Sequence, residues 1–285
     1  MKLTNGRHST ILFSVFIRVN PWFSSLLRAG IETSIKTGWT TPWRPLMLTF
    51  MNTPIVQFGA LPVGESARVV GIVSALKTVN ALLADPAPGC DIVELRLDRI
   101  GVETGDWIDA AHAIEEKGYP VIATLRIPEE GGHWQGTDED RRPHVLKALE
   151  YCACVDIELR SVLLPELADL AAQKNKALIV SHHDYEKTPR LDELRNVLRR
   201  AAISERVVVK IAVTVNTQDD VTPLKQLLQE SRSAPLCLIG MGDLGTPTRI
   251  EFPKLGSCLA YGHIDGSTAP GQLSCRELAE KIVRS

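Results

Sequence analysis

RVVVKIAV, residues 206–213, places one lysine inside a run of large apolar residues. Side chains along a β-strand point alternately to its two faces. One face of this stretch therefore carries only branched apolar residues: Val207, Val209, Ile211 and Val213. The other face carries Lys210 between Val208 and Ala212. The pattern predicts a buried strand, and the fold must supply surroundings for the charge on its second face.

Seven similar β-rich runs occur in the chain outside this stretch. They are VVGIVS (69–74), DIVELRLD (91–98), PVIATLR (120–126), CVDIELR (154–160), ALIVSHH (177–183), APLCLIGM (234–241) and GSCLAYG (256–262). Helix-like segments separate most of the runs, at 106–118, 161–176 and 222–232 among others, and another closes the chain. Such alternation implies parallel strands joined by crossover helices. Eight units predict a (β/α)8 TIM-type barrel, with an open doubly wound sheet as the alternative.

Four of these other runs also carry polar residues at every second position. The polar sets are Glu94, Arg96 and Asp98; Thr124 and Arg126; Asp156, Glu158 and Arg160; and Ser181 and His183. An antiparallel sheet with one solvated face would alternate in the same way, but the intervening helices argue against it. In a parallel barrel the polar set points into the barrel, and several members stand at the strand ends where barrel active sites form.

The lysine in this polar set has two possible states. A buried lysine either pairs with acids, here Glu94, Asp156 or Glu158, or loses its proton. A paired lysine needs no catalytic role, whereas a neutral one can form a Schiff base with a ketone. The second state requires Arg and His charges and desolvation to lower the lysine pKa. His183 favours it, because an imidazole can move protons beside a Schiff base, and Asp156 is a candidate to orient its ring.

Composition argues against several classes of protein. The formal net charge of −2 is unlike that of a nucleic-acid-binding protein. The N-terminal apolar run ILFSVFI is too short to cross a membrane. The six cysteines are expected to be reduced, buried thiols, and the pair Cys152 and Cys154 lacks the second pair of a zinc site.

Residues 1–55 differ in composition from the rest of the chain. They contain six Lys or Arg residues and one acid, Glu32, whereas the remainder is mildly acidic. We expect a disordered or spurious leader, with the start at Met47 or Met51, before a catalytic barrel at 60–285. The Arg- and Ser-rich, acid-poor composition also suits an organelle transit peptide, although no cleavage site is clear. We expect a cytoplasmic protein, with organelle targeting as the alternative.

Six short motifs stand in a fixed order along the barrel region. They are ELRLD (94–98), TLRIPEEGG (124–132), SHHDYEKTP (181–189), KIAV (210–213), MGDLGTPTR (241–249) and TAPGQ (268–272). Together they resemble the motif series of type I 3-dehydroquinate dehydratases. The resemblance implies a metal-free and cofactor-free (β/α)8 enzyme of the shikimate pathway, usually a homodimer. Enzymes of this family convert 3-dehydroquinate to 3-dehydroshikimate and water.

The resemblance also implies a role for each matching residue. Lys210 is similar to the family's Schiff-base lysine, His183 to its general acid/base, and Glu130 to the carboxylate that supports the histidine. The residues similar to the substrate contacts are Glu94, Arg96 and Arg126 for hydroxyls, Arg249 for the carboxylate, Thr268 and Gln272 on a closing loop, and Ser74 as a weaker match. Thr248 and Thr268 stand where the family commonly has serine, and both keep a hydroxyl.

Two other functions stay open from the sequence. A class I aldolase-like barrel also uses a buried lysine, but no obvious Gly-rich phosphate cradle is present. A catalytically silent barrel that acts as a binding module would leave Lys210 merely salt-bridged. The joint presence of Lys210, His183, Glu130 and Arg249 argues against the silent barrel, because such a protein needs only the apolar faces of its strands.

Overall fold

The computed structural model describes residues 54–231, 233–264, 266 and 272–282. Two short antiparallel strands come first, β1 (Val56–Phe58) and β2 (Leu61–Val63). Eight strands follow: β3 (Arg68–Val73), β4 (Ile92–Arg96), β5 (Val121–Thr124), β6 (Cys154–Glu158), β7 (Ala177–Asp184), β8 (Val207–Thr214), β9 (Leu236–Met241) and β10 (Leu259–His263). These eight correspond to the eight runs that the sequence predicts, with small shifts at their ends.

At least one α-helix follows each of these eight strands. The helices are α1 (Leu76–Ala84), α2 (Leu97–Ile100), α3 (Asp106–Glu116), α4 (Asp138–Tyr151), α5 (Leu164–Lys174), α6 (Leu191–Ala201), α7 (Val221–Glu230), α8 (Thr248–Lys254) and α9 (Cys275–Lys281). Helix α4 begins with a capping box, in which Thr137 and Asp140 exchange side-chain to backbone hydrogen bonds. None of the helices in the described ranges combines the length and apolar character that crossing a bilayer requires.

The eight strands form one nearly closed parallel barrel. Each strand from β3 to β8 pairs in parallel with the next, and β10 returns to pair in parallel with β3. Between β9 and β10, the backbone nitrogen of Cys258 donates to the carbonyl of Leu236 at 2.9 Å. The predicted TIM-type barrel is therefore confirmed, and the open doubly wound sheet is wrong. The predicted leader, residues 1–55, lies outside the described residues except for Pro54 and Ile55.

The two faces of the strands bury different residues, as the two-residue period predicts. On β8, Val207, Val209, Ile211 and Val213 belong to the large apolar cluster that also contains the helix residues. Val208 belongs instead to a second cluster, inside the barrel, with Ile122 and Ile179. Lys210 shares this inner face because it lies two residues beyond Val208.

The β1–β2 hairpin packs its apolar side chains into the N-terminal end of the barrel. Val56, Phe58 and Val63 join the inner cluster, and Phe58 is completely buried. Burial of a phenylalanine side chain contributes about 1.5–3 kcal/mol to stability. The barrel interior therefore has an apolar half closed by the hairpin and a second half toward the carboxyl ends of the strands.

Candidate active site

A cavity of about 140 Å³ lies among the side chains at the carboxyl ends of the barrel strands. Eight predicted site residues line it: Glu94, Arg96, Arg126, Glu130, His183, Lys210, Arg249 and Gln272. Ser74, directly after β3, is half-buried and is not part of this lining. Thr268 lies outside the described residues. The structure thus brings together residues from strands, two loops and one helix around a single space.

Lys210 is held by two carboxylates inside the barrel. Its Nζ lies 3.1 Å from Oδ2 of Asp156 and 3.6 Å from Oε1 of Glu94. Burial works against the charged amine, but the attraction of Asp156 and Glu94 prevails and raises the lysine pKa above its ordinary value. The expected lowering of this pKa is therefore wrong. In the ligand-free protein Lys210 is an ammonium ion with its counterions in place.

The two carboxylates are themselves fixed by hydroxyl groups and an arginine. Thr124 donates to Oε1 of Glu94 at 2.8 Å, and Ser181 donates to Oδ1 of Asp156 at 2.6 Å. A nitrogen of Arg126 lies 2.8 Å from Oδ2 of Asp156. Burial alone would raise the Asp156 pKa, but Arg126 and Lys210 reverse the effect and hold it below its ordinary value. Asp156 is therefore ionised.

Arg126 connects this cluster to a second buried acid. Its Nη1 donates to Glu158 at 2.9 Å and to Ser181 at 2.7 Å. Glu158 also lies 2.7 Å from a guanidinium nitrogen of Arg141, an arginine that sequence reasoning did not single out. Glu158 thus pairs with two arginines and not with Lys210. The donors of Arg126 are largely engaged by protein groups, so it stabilises the network as well as lining the cavity.

His183 is oriented by Glu130. Its Nδ1 lies 2.8 Å from Oε2 of Glu130, and its backbone nitrogen donates to the same oxygen at 3.1 Å. The expectation that Asp156 orients this ring is wrong, because Asp156 bonds Lys210, Ser181 and Arg126 instead. The resemblance-based assignment of Glu130 agrees with the observed contact.

The charges around this pair favour a neutral imidazole. Burial, followed by the positive charges of Arg126 and Lys210, lowers the His183 pKa well below its ordinary value. Burial also raises the pKa of Glu130, to about 7. His183 is therefore uncharged near neutral pH, and Glu130 is poised to gain or lose a proton beside it.

The loop that carries Glu130 depends on the two glycines that follow. Gly131 has φ +78°, a conformation that side chains other than glycine rarely adopt. A Cβ at Gly131 would overlap the hydroxyl of Tyr185, and one at Gly132 would overlap the carbonyl of Arg126. The Glu-Gly-Gly sequence is thus what allows the loop to turn tightly and place its carboxylate under the imidazole.

Arg249 differs from the other cations of the site. It is the second residue of α8, and its buried Nε has no hydrogen-bond partner among the described residues. Burial lowers its pKa, and no acid in the described part of the chain offsets the effect. Arg96, by contrast, forms a double contact with Asp98 at 2.9 and 2.8 Å. A half-buried guanidinium that pairs with no acid among the described residues is suited to bind an anion such as a substrate carboxylate.

The turn before Arg249 explains why a threonine is accommodated at 248. The Thr248 hydroxyl accepts from the backbone nitrogen of Gly240 at 3.1 Å and donates to the carbonyl of Gly245 at 2.6 Å. These bonds fix the start of α8. Thr248 therefore supports the position of Arg249 from within the protein.

Sequence reasoning missed two aromatic residues of the cavity lining. The Tyr261 ring covers Lys210, with Nζ 4.1 Å from the ring centre. Tyr185 stacks on His183, with ring centres 6.3 Å apart. The two-residue period of the run 256–262 could have identified Tyr261 as an inward-facing residue, since it shares the inner face of β10 with Leu259. In the described ranges, no three His, Cys, Asp or Glu side chains are arranged to hold a metal ion.

Known proteins match this chain over most of its length. The 3-dehydroquinate dehydratase of Methanocella arvoryzae is 34% identical over 196 residues, covering 69% of this chain and 88% of the relative. That of Methanosarcina barkeri is 32% identical over 237 residues, covering 79% and 97%. The solved 3-dehydroquinate dehydratase of Aquifex aeolicus has 28% identity and a TM-score of 0.66, covering 75% of this chain and 96% of that one.

More distant structures share the fold alone. A type I 3-dehydroquinate dehydratase from Clostridium difficile superposes with a TM-score of 0.72 at 23% identity, covering 81% of this chain and 97% of that one. A phospho-2-dehydro-3-deoxyheptonate aldolase from Thermotoga maritima reaches a TM-score of 0.52 at 12% identity, covering 81% and 72%. The family model described as type I 3-dehydroquinase matches residues 69–282. With three quarters of its length inside that match, the chain belongs to the type I 3-dehydroquinase family.

Proposed function

We propose that Lys210 forms the Schiff base of this enzyme and that His183 and Glu130 move its protons. The chain is a 3-dehydroquinate dehydratase, a hydro-lyase that converts 3-dehydroquinate to 3-dehydroshikimate and water. One observation carries the assignment of roles. A paired lysine, a neutral histidine and an arginine that pairs with no acid among the described residues all line one cavity.

The first step needs a neutral amine. Lys210 begins as an ammonium ion, so it must give up a proton before it attacks, and the neutral imidazole of His183 lines the same cavity. The amine then attacks the ketone, the resulting carbinolamine takes up the proton, and water leaves. The nitrogen of the iminium is positive. Asp156 and Glu94, which stabilise the ammonium ion, also stabilise this cation.

The second step removes a proton from the carbon beside the iminium. The iminium withdraws electrons, so this carbon is acidic enough for neutral His183 to deprotonate. Since Nδ1 of His183 is bonded to Glu130, Nε2 is the nitrogen that acts as the base. Glu130 stabilises the imidazolium that forms. The enamine that results pushes its electron pair back through the carbon skeleton to break the C–O bond, the imidazolium protonates the departing hydroxyl so that it leaves as water, and a further water hydrolyses the regenerated iminium to release the product and the lysine.

The remaining residues hold the substrate. Arg249 offers two parallel donors to the carboxylate, a geometry that a lysine does not provide. We assign the hydroxyl groups to Glu94, Arg96 and Arg126. Thr268 and Gln272 are assigned to a segment that closes over the substrate, and Ser74 has the weakest support because it stands outside the cavity lining.

We also propose that the enzyme is a cytoplasmic homodimer, an assignment supported by the resemblance to its family. Light scattering coupled to size-exclusion chromatography would give the mass of the particle. A mass equal to one chain would reject the dimer. Fractionation of the cells that make the protein would test its location.

Borohydride trapping tests the assigned roles. Protein incubated with 3-dehydroquinate and borohydride should carry a reduced adduct on the Lys210 peptide, and turnover is followed by the ultraviolet absorbance of the conjugated product. His183→Asn should abolish turnover, whereas His182→Asn, on the adjacent residue of the opposite strand face, should retain it. Absence of both adduct and turnover would favour a silent barrel. Turnover of sugar phosphates and not of 3-dehydroquinate would favour an aldolase.

A further inference from the structure

The Tyr261 ring lies against the reactive amine from two strands away around the barrel, with β9 between them. Tyr261 is on β10, and Lys210 is on β8. The Nζ of Lys210 stands 4.1 Å from the ring centre, within the range of a cation–π interaction. Tyr261 is only 5% exposed, so the contact is shielded from solvent. This shielding strengthens the attraction between the cation and the ring face.

We propose that Tyr261 is a positioning residue for the Schiff-base lysine, whose ring fixes the amine and directs it toward the substrate. The inference rests on the proposed role of Lys210. Three groups surround Nζ: Asp156 at 3.1 Å, Glu94 at 3.6 Å and the Tyr261 ring at 4.1 Å. A lysine side chain has four flexible carbon atoms, and these contacts restrict its end to one region of the cavity.

The ring can hold the nitrogen in both of its charged forms. An aromatic face attracts the ammonium ion and the iminium alike, because the attraction depends on the positive charge and needs no N–H to donate. Like the two carboxylates it favours the charged form of the amine, but it adds no negative charge to the cavity. The contact therefore fixes the nitrogen in one place before and after the Schiff base forms.

The hydroxyl of Tyr261 is separate from this role. It is buried, and it has no hydrogen-bond partner among the described residues. An unpaired buried hydroxyl does not stabilise the fold. The ring contact with Lys210 is thus the polar interaction that the side chain makes in the described part of the chain, and a phenylalanine should preserve it.

Three variants separate the ring from the hydroxyl and from core packing. Tyr261→Leu removes the ring, Tyr261→Phe keeps it, and Phe58→Leu makes the same loss of an aromatic ring in the inner apolar cluster away from Lys210. Each is assayed for kcat, for KM and for the pH dependence of borohydride trapping on Lys210. Circular dichroism checks the fold, and Tyr261→Met replaces Tyr261→Leu if the latter does not fold.

Loss of the ring should lower kcat about tenfold and move the pH dependence of trapping down by about one unit, because the ammonium ion loses a stabilising contact. KM should change little, since other residues hold the substrate. Tyr261→Phe and Phe58→Leu should both behave as the wild type in these assays.

Three outcomes would overturn the inference. Tyr261→Leu could match the wild type in kcat and pH dependence, Phe58→Leu could reproduce its defects, or Tyr261→Phe could be equally impaired. In each case the wild type still forms its adduct and the proposed function stands. A wild-type protein without any adduct would overturn the proposed function and this inference together.

Discussion

The two halves of the barrel interior differ sharply although the same strands build both. In the half near the hairpin, Val208 and Ile179 are fully buried among apolar neighbours. Two residues further along the same strands, Lys210 and Ser181 belong to a network of charges and hydroxyls. A step of two residues is about 7 Å along a strand. The stabilising apolar layer and the reactive polar layer are therefore only two residues apart along each of these strands.

This difference shows how the polar layer is tolerated inside a protein. Each carboxylate beside Lys210 has a hydroxyl or cationic partner, so the cost of removing it from water is offset locally. The apolar layer needs no such pairing and contributes by burial alone. Substitutions in one layer should therefore change catalysis, and substitutions in the other should change stability.

The largest expected effect is the loss of the amine. Lys210→Met should reduce kcat by about 10⁴-fold or more, because no other lysine lines the cavity in the described part of the chain. The fold should persist, since Asp156 keeps Arg126 and Ser181 as partners. The matched control is Lys176→Met. Lys176 donates to the carbonyl of Cys152 at the hairpin end of the barrel, and its loss should leave kcat unchanged. An equal fall in kcat in both variants would contradict the assignment of catalysis to the polar layer alone.

The reverse effect is expected in the apolar layer. Phe58→Ala should lower the free energy of unfolding by about 3–5 kcal/mol, because it leaves a cavity at the end of the inner cluster. Urea titration followed by circular dichroism measures the change. The kcat and KM of the folded variant should stay at wild-type values. A fall in kcat without loss of stability would show that the hairpin acts on the chemistry.

A smaller effect is expected for the arginine that lacks an acid. Arg249→Lys keeps the charge but loses the two parallel donors, and KM should rise about 10- to 100-fold with a smaller change in kcat. Arg142→Lys is the control, because Arg142 forms an exposed pair with Glu166. Steady-state kinetics over a range of 3-dehydroquinate concentrations measures both. An unchanged KM in Arg249→Lys would remove this residue from the carboxylate site.

The fold itself could be predicted from the sequence because its determinants are local. The two-residue period of 206–213 separates the inner from the outer face within one strand, and the intervening helices fix the strand direction. Both are independent of how distant segments pack. The hairpin was not predicted, since three-residue strands such as Val56–Phe58 are too short to show a period.

The contacts within the site were harder to predict, because they depend on how far along the barrel axis each side chain lies. The period places Asp156 and His183 on the same inner face but does not give their levels. In the structure Asp156 is level with Ile179, whereas His183 lies further toward the carboxyl end and meets a loop residue, Glu130. The prediction that the Lys210 pKa is lowered was wrong for the same reason. The shift depends on the distances from the amine to several charged groups at once, and the sequence does not give these distances.

The smallest expected effect is a change in how stability depends on pH. The raised pKa of Glu130 favours the folded state at low pH, and this contribution is lost as the pH rises from about 4.5 to about 7. The lowered pKa of His183 has the opposite sign, and its contribution is lost as the pH falls below 6.5. Between these values the two contributions largely cancel, because the folded protein holds on Glu130 the proton that the unfolded chain holds on His183.

Glu130→Gln removes the contribution of Glu130 and leaves that of His183 uncompensated. Its stability should fall by about 2 kcal/mol more than that of the wild type as the pH drops from 6.5 to 4.5. Urea titrations at several pH values measure the slope. Phe58→Leu, in the apolar layer, should follow the wild-type slope. Parallel curves for Glu130→Gln and the wild type would mean that the two groups do not share a proton.

The hairpin fills the N-terminal end of the barrel, so the interior is closed at that end and open at the carboxyl ends of the strands. Among the described residues, Phe58 and its neighbours fill the space beneath Lys210 with buried apolar side chains. Reactant, organic product and the water released by the reaction must all cross the same rim. A departing product therefore occupies the path that the next reactant needs to reach Lys210.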